Sequence, residues 1–291
     1  MAAPLVSVVM RSHNDAPFIG TTLVRLSSQD LPGGFEIVSI DDHSSDGTAE
    51  RLALQPEIRR ISPPDGPYFP GRTLNAAVRH CLGEFVVFNN ADAIPQGGDY
   101  LARLVAPLQE DPGVCAVYGQ QIPRPDAEWL VRKDYRRAFG DGRIAATWGF
   151  FFSLASAAIR RADLLAHPFD ERIRYSEDVE WAWRAVQRGG RIRYAADAVA
   201  EHSHNYSFAE LRRRFYNEGY ANGRIFGGTV SLATAWRQFL AETARDCIAL
   251  LPHPSAWPEL LLKAARRRWL QKFCTRKGQN DYAREHAVRP E

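Results

Sequence analysis

Short apolar segments typical of buried strands alternate with helical segments along the first part of the chain, and this alternation constrains the fold most. The predicted strands are Leu5 to Met10, Glu36 to Ile40, Glu84 to Phe88 and Val114 to Tyr118. The predicted helices are Pro17 to Gln29 with Asp15 as its cap, Thr48 to Leu54, Arg72 to Leu82 and Leu101 to Leu108. Nearly continuous apolar runs are typical of strands buried on both faces. The alternation predicts an α/β fold with a largely parallel sheet.

The second half of the chain has a different pattern. Tyr175 to Gly190 is predicted to be an amphipathic helix entered through Ser176, and a strand pair is predicted around Arg191 to His202. From Ser207 onward the pattern is helical, and three prolines divide it into two halves: Pro252, Pro254 and Pro258. The predicted domains are therefore an α/β domain over residues 1–206 and a basic helical segment over residues 207–291.

Composition excludes several classes of protein. The chain has 291 residues, of which 45% are hydrophobic and 24% charged, so it is neither disordered nor collagenous. Its 4 cysteines form no CxxC pair, which argues against a zinc site or a disulfide framework and fits a reducing cytoplasm. Neither a secretory signal nor an apolar run of about 20 residues occurs, so we expect no membrane-spanning helix.

The charge is distributed unevenly. Residues 1–204 carry a net charge of −4 and residues 205–291 a net charge of +7. Residues 263–277 hold seven basic and no acidic side chains, interleaved with leucine and aromatic residues. Two interpretations are open: this helix lies on an anionic membrane surface, or it packs on the catalytic domain with its arginines in solvent. A nucleic-acid partner is not expected, because no aromatic and basic platform motif accompanies the charge.

Two acidic clusters follow predicted strands, at the sheet edge where ligands of open parallel sheets bind. Asp42, after the second strand, has the chemistry to accept hydrogen bonds from a pyrimidine base or a ribose; alternatively it caps the next helix together with Ser44 and Ser45. Asp92, in the sequence Asn90-Ala91-Asp92, is a candidate ligand of a divalent cation, or else a turn residue. Neither GxGxxG nor a P-loop motif is present, which disfavours dinucleotide oxidoreductases and P-loop NTPases.

Two further elements carry candidate chemistry. Asp178 lies in the first turn of a predicted helix, whose positive end favours the ionised carboxylate, while Trp181 and Trp183 partly desolvate it. The balance leaves a usable base near neutral pH. His202 and His204 follow an apolar strand on one face, where their imidazoles are candidates to complete a metal shell with Asp92.

In this order, the segments resemble a family 2 glycosyltransferase of the GT-A fold, over roughly residues 5–220. The strings that carry the resemblance are Ser7-Val8-Val9, His13-Asn14, Asp41 to Thr48, Asn90-Ala91-Asp92 and Glu177-Asp178. Three more strings resemble the bacterial rhamnosyltransferase branch of that family: Gly71-Arg72-Thr73 with Asn75, Ala116 to Ala127, and His202 to Ser207. The resemblance implies a Rossmann-like, mostly parallel sheet with helices on both faces, followed by C-terminal helices.

The resemblance also implies roles for individual residues. Asp178 would be the catalytic base, next to Glu177, and Asp92 with His202 would bind Mg2+ or Mn2+ near the diphosphate. Asn90 stands where the family motif has its first aspartate. The implied donor-binding residues are Ser12, His13, Asn14, Asp42, Arg72, Asn75, Asn90 and Ala91.

The implied function is transfer of a sugar, with inversion, from a nucleotide-sugar donor to a hydroxyl of a polysaccharide, oligosaccharide or lipid-linked acceptor. The favoured donor is dTDP-L-rhamnose, and a UDP-sugar is the alternative. A catalytically silent nucleotide-sugar binding module is the other alternative, because Asn90 replaces a motif aspartate. The expected location is the cytoplasm, with peripheral contact at the inner face of the cell membrane.

Overall fold

An eight-stranded sheet is the centre of the larger of two compact units. The computed structural model describes residues 3–251 and 257–287. The strands are β1 Val6–Ser12, β2 Phe35–Asp41, β3 Arg59–Ile61, β4 Phe85–Asn89, β5 Ile94–Pro95, β6 Val114–Ile122, β7 Ser156–Arg160 and β8 Arg191–Glu201. Helices α1 Ala16–Ser27, α2 Thr48–Ala53, α3 Pro70–Val78, α4 Tyr100–Glu110, α5 Trp129–Tyr135, α6 Arg143–Thr147, α7 Arg161–Ala166 and α8 Glu177–Gln187 belong to this unit, with a π-helical turn at Arg136–Gly140.

The strand order in the sheet is β3-β2-β1-β4-β7-β6-β8-β5. Strands β1 to β4 pair in parallel, as do β6 and β8. Strand β7 is antiparallel to both of its neighbours, β4 and β6, and β5 is antiparallel to β8. The predicted α/β fold is confirmed, and the sheet is mixed because β7 enters it from a later part of the chain.

Alternate residues of the central strands enter two apolar layers, one on each face of the sheet. Val8 of β1 packs in the layer covered by α1 and α4, whereas its neighbour Val9 packs in the layer covered by α3 and α8. Trp181 is the largest of the fully buried side chains and lies in the second layer. Burial on both faces explains why the strand segments of the sequence are continuously apolar.

The smaller unit consists of residues 174–176 and 205–291 and contains α9 Phe208–Phe226, α10 Leu232–Leu250 and α11 Trp257–Glu285. Helix α9 begins with a capping box formed by Ser207 and Glu210. Glycines allow α9 and α11 to approach closely, since a Cβ on Gly278 would lie 2.1 Å from the carbonyl oxygen of Tyr216. Among the described residues, no helix is both long and apolar enough to cross a bilayer.

Two predicted features differ from the structure, and strands β3, β5 and β7 have no counterpart among the predicted elements. Arg191 to His202 forms one long strand, β8, instead of a strand pair. The C-terminal segment forms three helices, because Gly227 adopts a φ of 68° at the end of α9. A break does separate α10, which ends at Leu250, from α11, which begins at Trp257, and Pro258 occupies the second position of α11, which needs no amide hydrogen bond. Pro252 and Pro254 lie outside the described residues.

The basic segment 263–277 is part of α11 and packs within the smaller unit. Ala264 and Leu270 are buried, and Leu270 joins a cluster with Leu211 and Phe215 of α9. Arg268 is buried as well and forms an ion pair with Asp246 of α10 at 2.7 Å. Much of the apolar side of α11 is therefore used for packing against the other two helices.

Candidate active site

Polar residues at the ends of β1, β2 and β4 meet at a cleft of about 190 Å³. The cleft is lined by Arg11, Ser12, His13, Asp15, Asp42, Tyr68, Asn90, Asp92 and His204. The strand register explains this meeting, because β1 pairs in parallel with β2 on one side and with β4 on the other. The two acidic clusters that are about 50 residues apart in the sequence thus border one cleft.

Asp41 ends β2 and Asp42 follows it, and the two carboxylates differ in their contacts. The Asp41 carboxylate accepts hydrogen bonds from the Ser12 hydroxyl at 2.7 Å and from the backbone and hydroxyl of Ser44, which fixes the loop. Helix α2 starts after Gly47 without a side-chain cap, so Asp42 does not cap it. The carboxylate of Asp42 lies at the cleft, where it is available to a ligand.

The turn after β1 holds a strained backbone. Asn14 has a φ of 57° and His43, in the opposite loop, a φ of 55°, a conformation that is uncommon outside glycine. The Nδ1–H of His13 donates to the carbonyl oxygen of Asp42 at 2.6 Å, and the amide oxygen of Asn14 accepts from the backbone N–H of Ser45. These bonds join the ends of β1 and β2 into one rigid wall of the cleft, and such strain is often found at functional sites.

The segment after β4 presents one carboxylate to the cleft. Asp92 is 4% exposed, and Asn90 lines the cleft beside it. Ala91 is fully buried and is held through its backbone, since its N–H donates to the carbonyl oxygen of Arg11 and its carbonyl oxygen accepts from the Thr22 hydroxyl. The role of Ala91 in the cleft is therefore to position its two neighbours.

Two histidines converge on Asp92. The Nε2 atoms of His202 and His204 lie 3.5 Å and 3.3 Å from the Asp92 carboxylate and 3.1 Å from each other. The Nδ1–H of His202 donates to the side-chain oxygen of Gln121 at 2.8 Å, which turns Nε2 toward Asp92, and in the neutral ring this Nε2 carries the lone pair that a cation would use. These three side chains offer ligand atoms within 4.8 Å of one another, which fits the donor set of a divalent cation.

Arg124 donates to the same carboxylate, a contact that no motif in the sequence indicates. Its guanidinium lies 3.1 Å from the Asp92 side chain and 3.8 Å from the centre of the Phe18 ring. Burial opposes the charged form of Asp92, but the two histidines and Arg124 outweigh it and lower its pKa. Asp92 therefore remains ionised in the cleft.

The pair Glu177 and Asp178 begins α8 and is connected to the cleft through Arg11. One Arg11 nitrogen lies 3.0 Å from the hydroxyl of Tyr68 and 3.1 Å from the carboxylate of Glu177. Burial and the neighbouring Glu177 raise the pKa of Asp178 to about 7, against the opposing effects of Arg11 and of backbone hydrogen bonds from Val179 and Leu154. Asp178 can therefore exchange a proton near neutral pH.

Asp15 is a cleft residue that the sequence suggested only as a helix cap. Its carboxylate accepts the backbone N–H of His13 and does not cap α1. The first N–H of α1 is bonded instead by Asp46, from the loop after β2. Burial raises the pKa of Asp15 to about 6. The hydrogen bond from His13 opposes this increase, and the negative charges of Asp92 and Asp46 add to it.

Four predicted donor-binding residues are not among the described residues that line this cleft: Asn14, Arg72, Asn75 and Ala91. Asn75 is buried in α3, where its side chain donates to the carbonyl oxygen of Phe169 and accepts the N–H of the same residue. It also contacts Glu171 at 3.1 Å, so Asn75 joins α3 to the chain segment before α8. Arg72, in the same helix, is absent from the cleft lining among the described residues. The donor-binding roles of Asn75 and Arg72 stay predictions, and the contacts of Asn75 show that it also holds α3 against the segment before α8.

A mixed sheet whose parallel strands end in aspartates at one cleft is the architecture of the GT-A class of glycosyltransferases. The profile of the family described as "Glycosyl transferase family 2" matches residues 7–167, more than half of the chain. The chain therefore belongs to glycosyl transferase family 2.

Relatives with assigned functions extend the match. The chain is 29% identical over 212 residues to the O-antigen chain rhamnosyltransferase RfbN of Salmonella typhimurium, an alignment that covers 66% of this chain and 67% of that protein. It is 30% identical over 211 residues to the O-antigen chain rhamnosyltransferase WbaN of Salmonella anatum, covering 66% of each chain. The aligned segment thus spans about two thirds of these relatives.

Solved structures share the fold. The mannosyltransferase PcManGT of Pyrobaculum calidifontis, in complex with GDP-Man and Mn2+, superposes with a TM-score of 0.66 at 23% identity, covering 98% of this chain and 89% of that chain. TarS 1-349 of S. aureus, in complex with UDP-GlcNAc, gives a TM-score of 0.54 at 17% identity and covers 98% and 93%. At these identities the likeness establishes the fold.

Proposed function

We propose that this protein is an inverting, metal-dependent glycosyltransferase that moves L-rhamnose from dTDP-L-rhamnose to a hydroxyl of a polysaccharide, oligosaccharide or lipid-linked acceptor. The observation that carries the proposal is the single cleft at the sheet edge. Asp42 lies at one side, Asp92 with the two histidines lies at the other, and Arg11 connects the cleft to the carboxylates that begin α8. These side chains suit the binding of a nucleoside diphosphate and a divalent cation, and a carboxylate at the start of α8 can accept a proton.

The choice of donor is supported by the two rhamnosyltransferases that align with this chain. Asp42 is proposed to accept hydrogen bonds from the base or ribose of the donor, beside Ser12 and His13 of the cleft lining, and Asn14 supports this wall through its bond to Ser45. Thymine and uracil present the same hydrogen-bonding edge, so contact with the base alone does not select between dTDP- and UDP-sugars. A UDP-sugar donor is therefore the alternative within the same reaction class.

A divalent cation is proposed to be held by Asp92, His202 and His204. Their donor set of one carboxylate and two imidazoles suits Mn2+ better than Mg2+, which prefers oxygen ligands. PcManGT, which has the same fold, was solved with Mn2+. When bound, such a cation would stabilise the negative charge that develops on the leaving diphosphate.

The proposed reaction is a single displacement. The acceptor hydroxyl oxygen bonds to the anomeric carbon on the face opposite the diphosphate, and the bond from that carbon to the diphosphate oxygen breaks. Asp178 takes the proton of the hydroxyl, and its pKa of about 7 suits it to do so at neutral pH. Arg11 holds Glu177 in place and keeps positive charge beside the base. Attack from the opposite face inverts the configuration of the sugar.

The test is a panel of dTDP-L-rhamnose, UDP-glucose and UDP-N-acetylglucosamine, each with and without Mn2+ or Mg2+. Ligand binding to the folded state raises the melting temperature, so dTDP-L-rhamnose with cation should give the largest increase. Release of dTDP with a glycan or lipid-linked acceptor then measures transfer. A larger increase with a UDP-sugar would select the alternative donor. Binding of donor without nucleotide release for any acceptor would select the silent binding module that Asn90 suggests.

The protein is proposed to work in the cytoplasm, next to the inner face of the cell membrane. Its four cysteines are free, in keeping with a reducing compartment. A lipid-linked acceptor would be confined to the membrane plane, and an enzyme bound at the same plane would meet it more often. The acceptor class can be tested by comparing a soluble oligosaccharide with its lipid-linked form.

A further inference from the structure

Helix α10 carries an exposed apolar ridge. Every fourth residue from its first turn to its last is apolar and solvent-exposed: Leu232, Trp236, Leu240, Ala244 and Ile248. Leu240 is 61% exposed and Ile248 is 66% exposed, so most of the surface of these two side chains is left open by the described residues. Each step of four residues turns by about 40° around the helix axis, so the row winds around α10, and the part from Trp236 to Ile248 occupies a face about 120° wide along about 18 Å. We refer to this surface as the α10 ridge.

Aromatic residues of α11 widen the α10 ridge at one end. Trp236 is 45% exposed and Trp269 of α11 is 46% exposed. Both contact Phe273, with ring centres 4.9 Å from Trp236 and 5.4 Å from Trp269. Two half-exposed tryptophans fixed on one phenylalanine present apolar ring faces and indole N–H groups together. Tryptophan is enriched at membrane–water interfaces for that reason.

On α10, the exposed charged residues are basic and the acidic residues are buried. Arg237 and Arg245 are exposed, whereas Glu242 and Asp246 are both buried. Arg245 lies 2.7 Å from Glu242, and the Asp246 carboxylate is held by the buried guanidinium of Arg268. A solvent-facing surface of leucine, isoleucine and tryptophan bordered by arginine is complementary to an anionic lipid surface.

We propose that the α10 ridge, with Trp269, is a docking surface for an anionic lipid bilayer. The net charge of +7 on residues 205–291 supports a lipid surface over a second copy of this chain, because two copies of a basic surface repel each other. The inference adds to the proposed membrane-side location by naming the surface that makes contact. It places the contact on α10, while the basic segment of α11 supplies charge and packs inward.

The test is co-sedimentation of the full chain with vesicles of phosphatidylglycerol and phosphatidylcholine, and with phosphatidylcholine alone, at low and high salt. The wild type should bind the anionic vesicles at low salt and be released at high salt. Leu240→Glu removes an inserted leucine and adds a repelled charge, so it should weaken binding by about tenfold or more. The matched control is Val24→Glu, because Val24 is 69% exposed on α1 of the larger unit and should leave binding unchanged.

Several outcomes would overturn the inference. Wild-type protein that stays in the supernatant with anionic vesicles at low salt would do so, as would equal weakening by Leu240→Glu and Val24→Glu. Size-exclusion chromatography of the wild type and Leu240→Glu provides the other measurement. A wild-type dimer that Leu240→Glu converts to monomer would assign the ridge to a second copy. Nucleotide release with a soluble acceptor is recorded in parallel, so failure of vesicle binding is distinguishable from failure of the proposed transferase function.

Discussion

At the scale of single residues, Asp178 combines a partly buried position at the start of α8 with a pKa of about 7. Only its ionised form accepts a proton, so the rate of transfer should rise with pH through about 7. Asp178→Asn removes the proton acceptor and keeps the shape, and it should lower transfer by about 100-fold or more while donor affinity is retained. Single-turnover kinetics and calorimetry with the donor measure the two quantities.

The control for this substitution lies on the same helix. Glu180 forms an ion pair with Arg184 at 2.5 Å, so the pH profile of transfer by Glu180→Gln should be the same as that of the wild type. Transfer by Asp178→Asn at a rate near that of the wild type would move the role of base to Glu177.

The raised pKa of Asp178 also predicts how stability depends on pH. Burial raises this pKa from 3.8 to about 7, so the folded state retains a proton that the unfolded state releases. The resulting stability is fully present below about pH 4 and is lost as pH rises through about 7. Asp178→Asn has no such loss, so its melting temperature relative to wild type should be higher at about pH 8 than at about pH 5. A constant difference in melting temperature would show that the carboxylate is not desolvated.

Arg11 is predicted to set the pH at which the base becomes active. Its positive charge lowers the pKa of Asp178, in opposition to burial and Glu177. Arg11→Met should therefore move the acidic limb of the transfer profile to higher pH, and Arg11→Lys should restore part of the shift. Tyr68→Phe removes the hydroxyl bonded to Arg11 but no charge, which makes it the matched comparison. If the acidic limb of the pH profile is the same in Arg11→Met as in the wild type, Arg11 does not control the pKa of Asp178.

The cation and the nucleotide are predicted to depend on different residues. Asp92→Ala and His204→Gln should abolish the effect of Mn2+ on dTDP binding, because each removes a ligand of the proposed site. Asp42→Ala should weaken dTDP with or without cation, because Asp42 lies at the other side of the cleft. His80→Gln alters an exposed histidine outside the cleft and serves as control. Isothermal calorimetry measures dTDP binding by all four variants. If the wild type binds dTDP equally well with and without Mn2+, the proposed cation site is wrong.

At the scale of elements, the closest helix contact belongs to the smaller unit. A Cβ on Gly278 of α11 would lie 2.1 Å from the carbonyl oxygen of Tyr216 and 2.7 Å from the backbone nitrogen of Tyr220. Gly278→Ala must therefore separate α9 from α11, and we expect it to destabilise the fold by about 1–3 kcal/mol. Gly20→Ala, in α1, is the matched control, since its Cβ would lie 3.6 Å from Arg51 at the end of a flexible side chain.

Gly20→Ala should be neutral or stabilising, because alanine is the better helix former by about 1 kcal/mol. Thermal unfolding followed by circular dichroism compares the two variants. A Gly278→Ala protein as stable as Gly20→Ala would mean that α9 and α11 are not in such close contact.

At the scale of the whole molecule, the two units divide the charge. Residues 1–204, which hold the cleft, carry −4, and residues 205–291, which hold α9 to α11, carry +7. An acidic surface repels anionic lipid, whereas a basic one attracts it. We therefore expect the salt dependence of vesicle binding to come from residues 205–291. Salt should have less effect on cation binding at Asp92, because Asp92 is buried.

Local patterns in the sequence predict β1, β2, β4, β6 and the helices between them, but not β3, β5 or β7, and they place Asp42 and Asp92 at strand ends. Both depend on local patterns: apolar runs set the strands, and a polar residue directly after a buried strand must lie at the sheet edge. The helix that begins with Glu177 was found for the same reason, from first-turn acidic residues followed by an amphipathic segment.

The tertiary structure decided which distant residues meet. Arg11 contacts Glu177 across 166 positions of sequence, and Arg124 meets the carboxylate of Asp92 across 32. Strand β7 separates β4 from β6, an order that no local pattern encodes. Asn75 is bonded to the backbone of Phe169 across 94 positions of sequence, a contact that its motif does not indicate. Local patterns specify which residues are buried and which are polar, but contacts between remote segments depend on strand order and packing, which only the folded chain fixes.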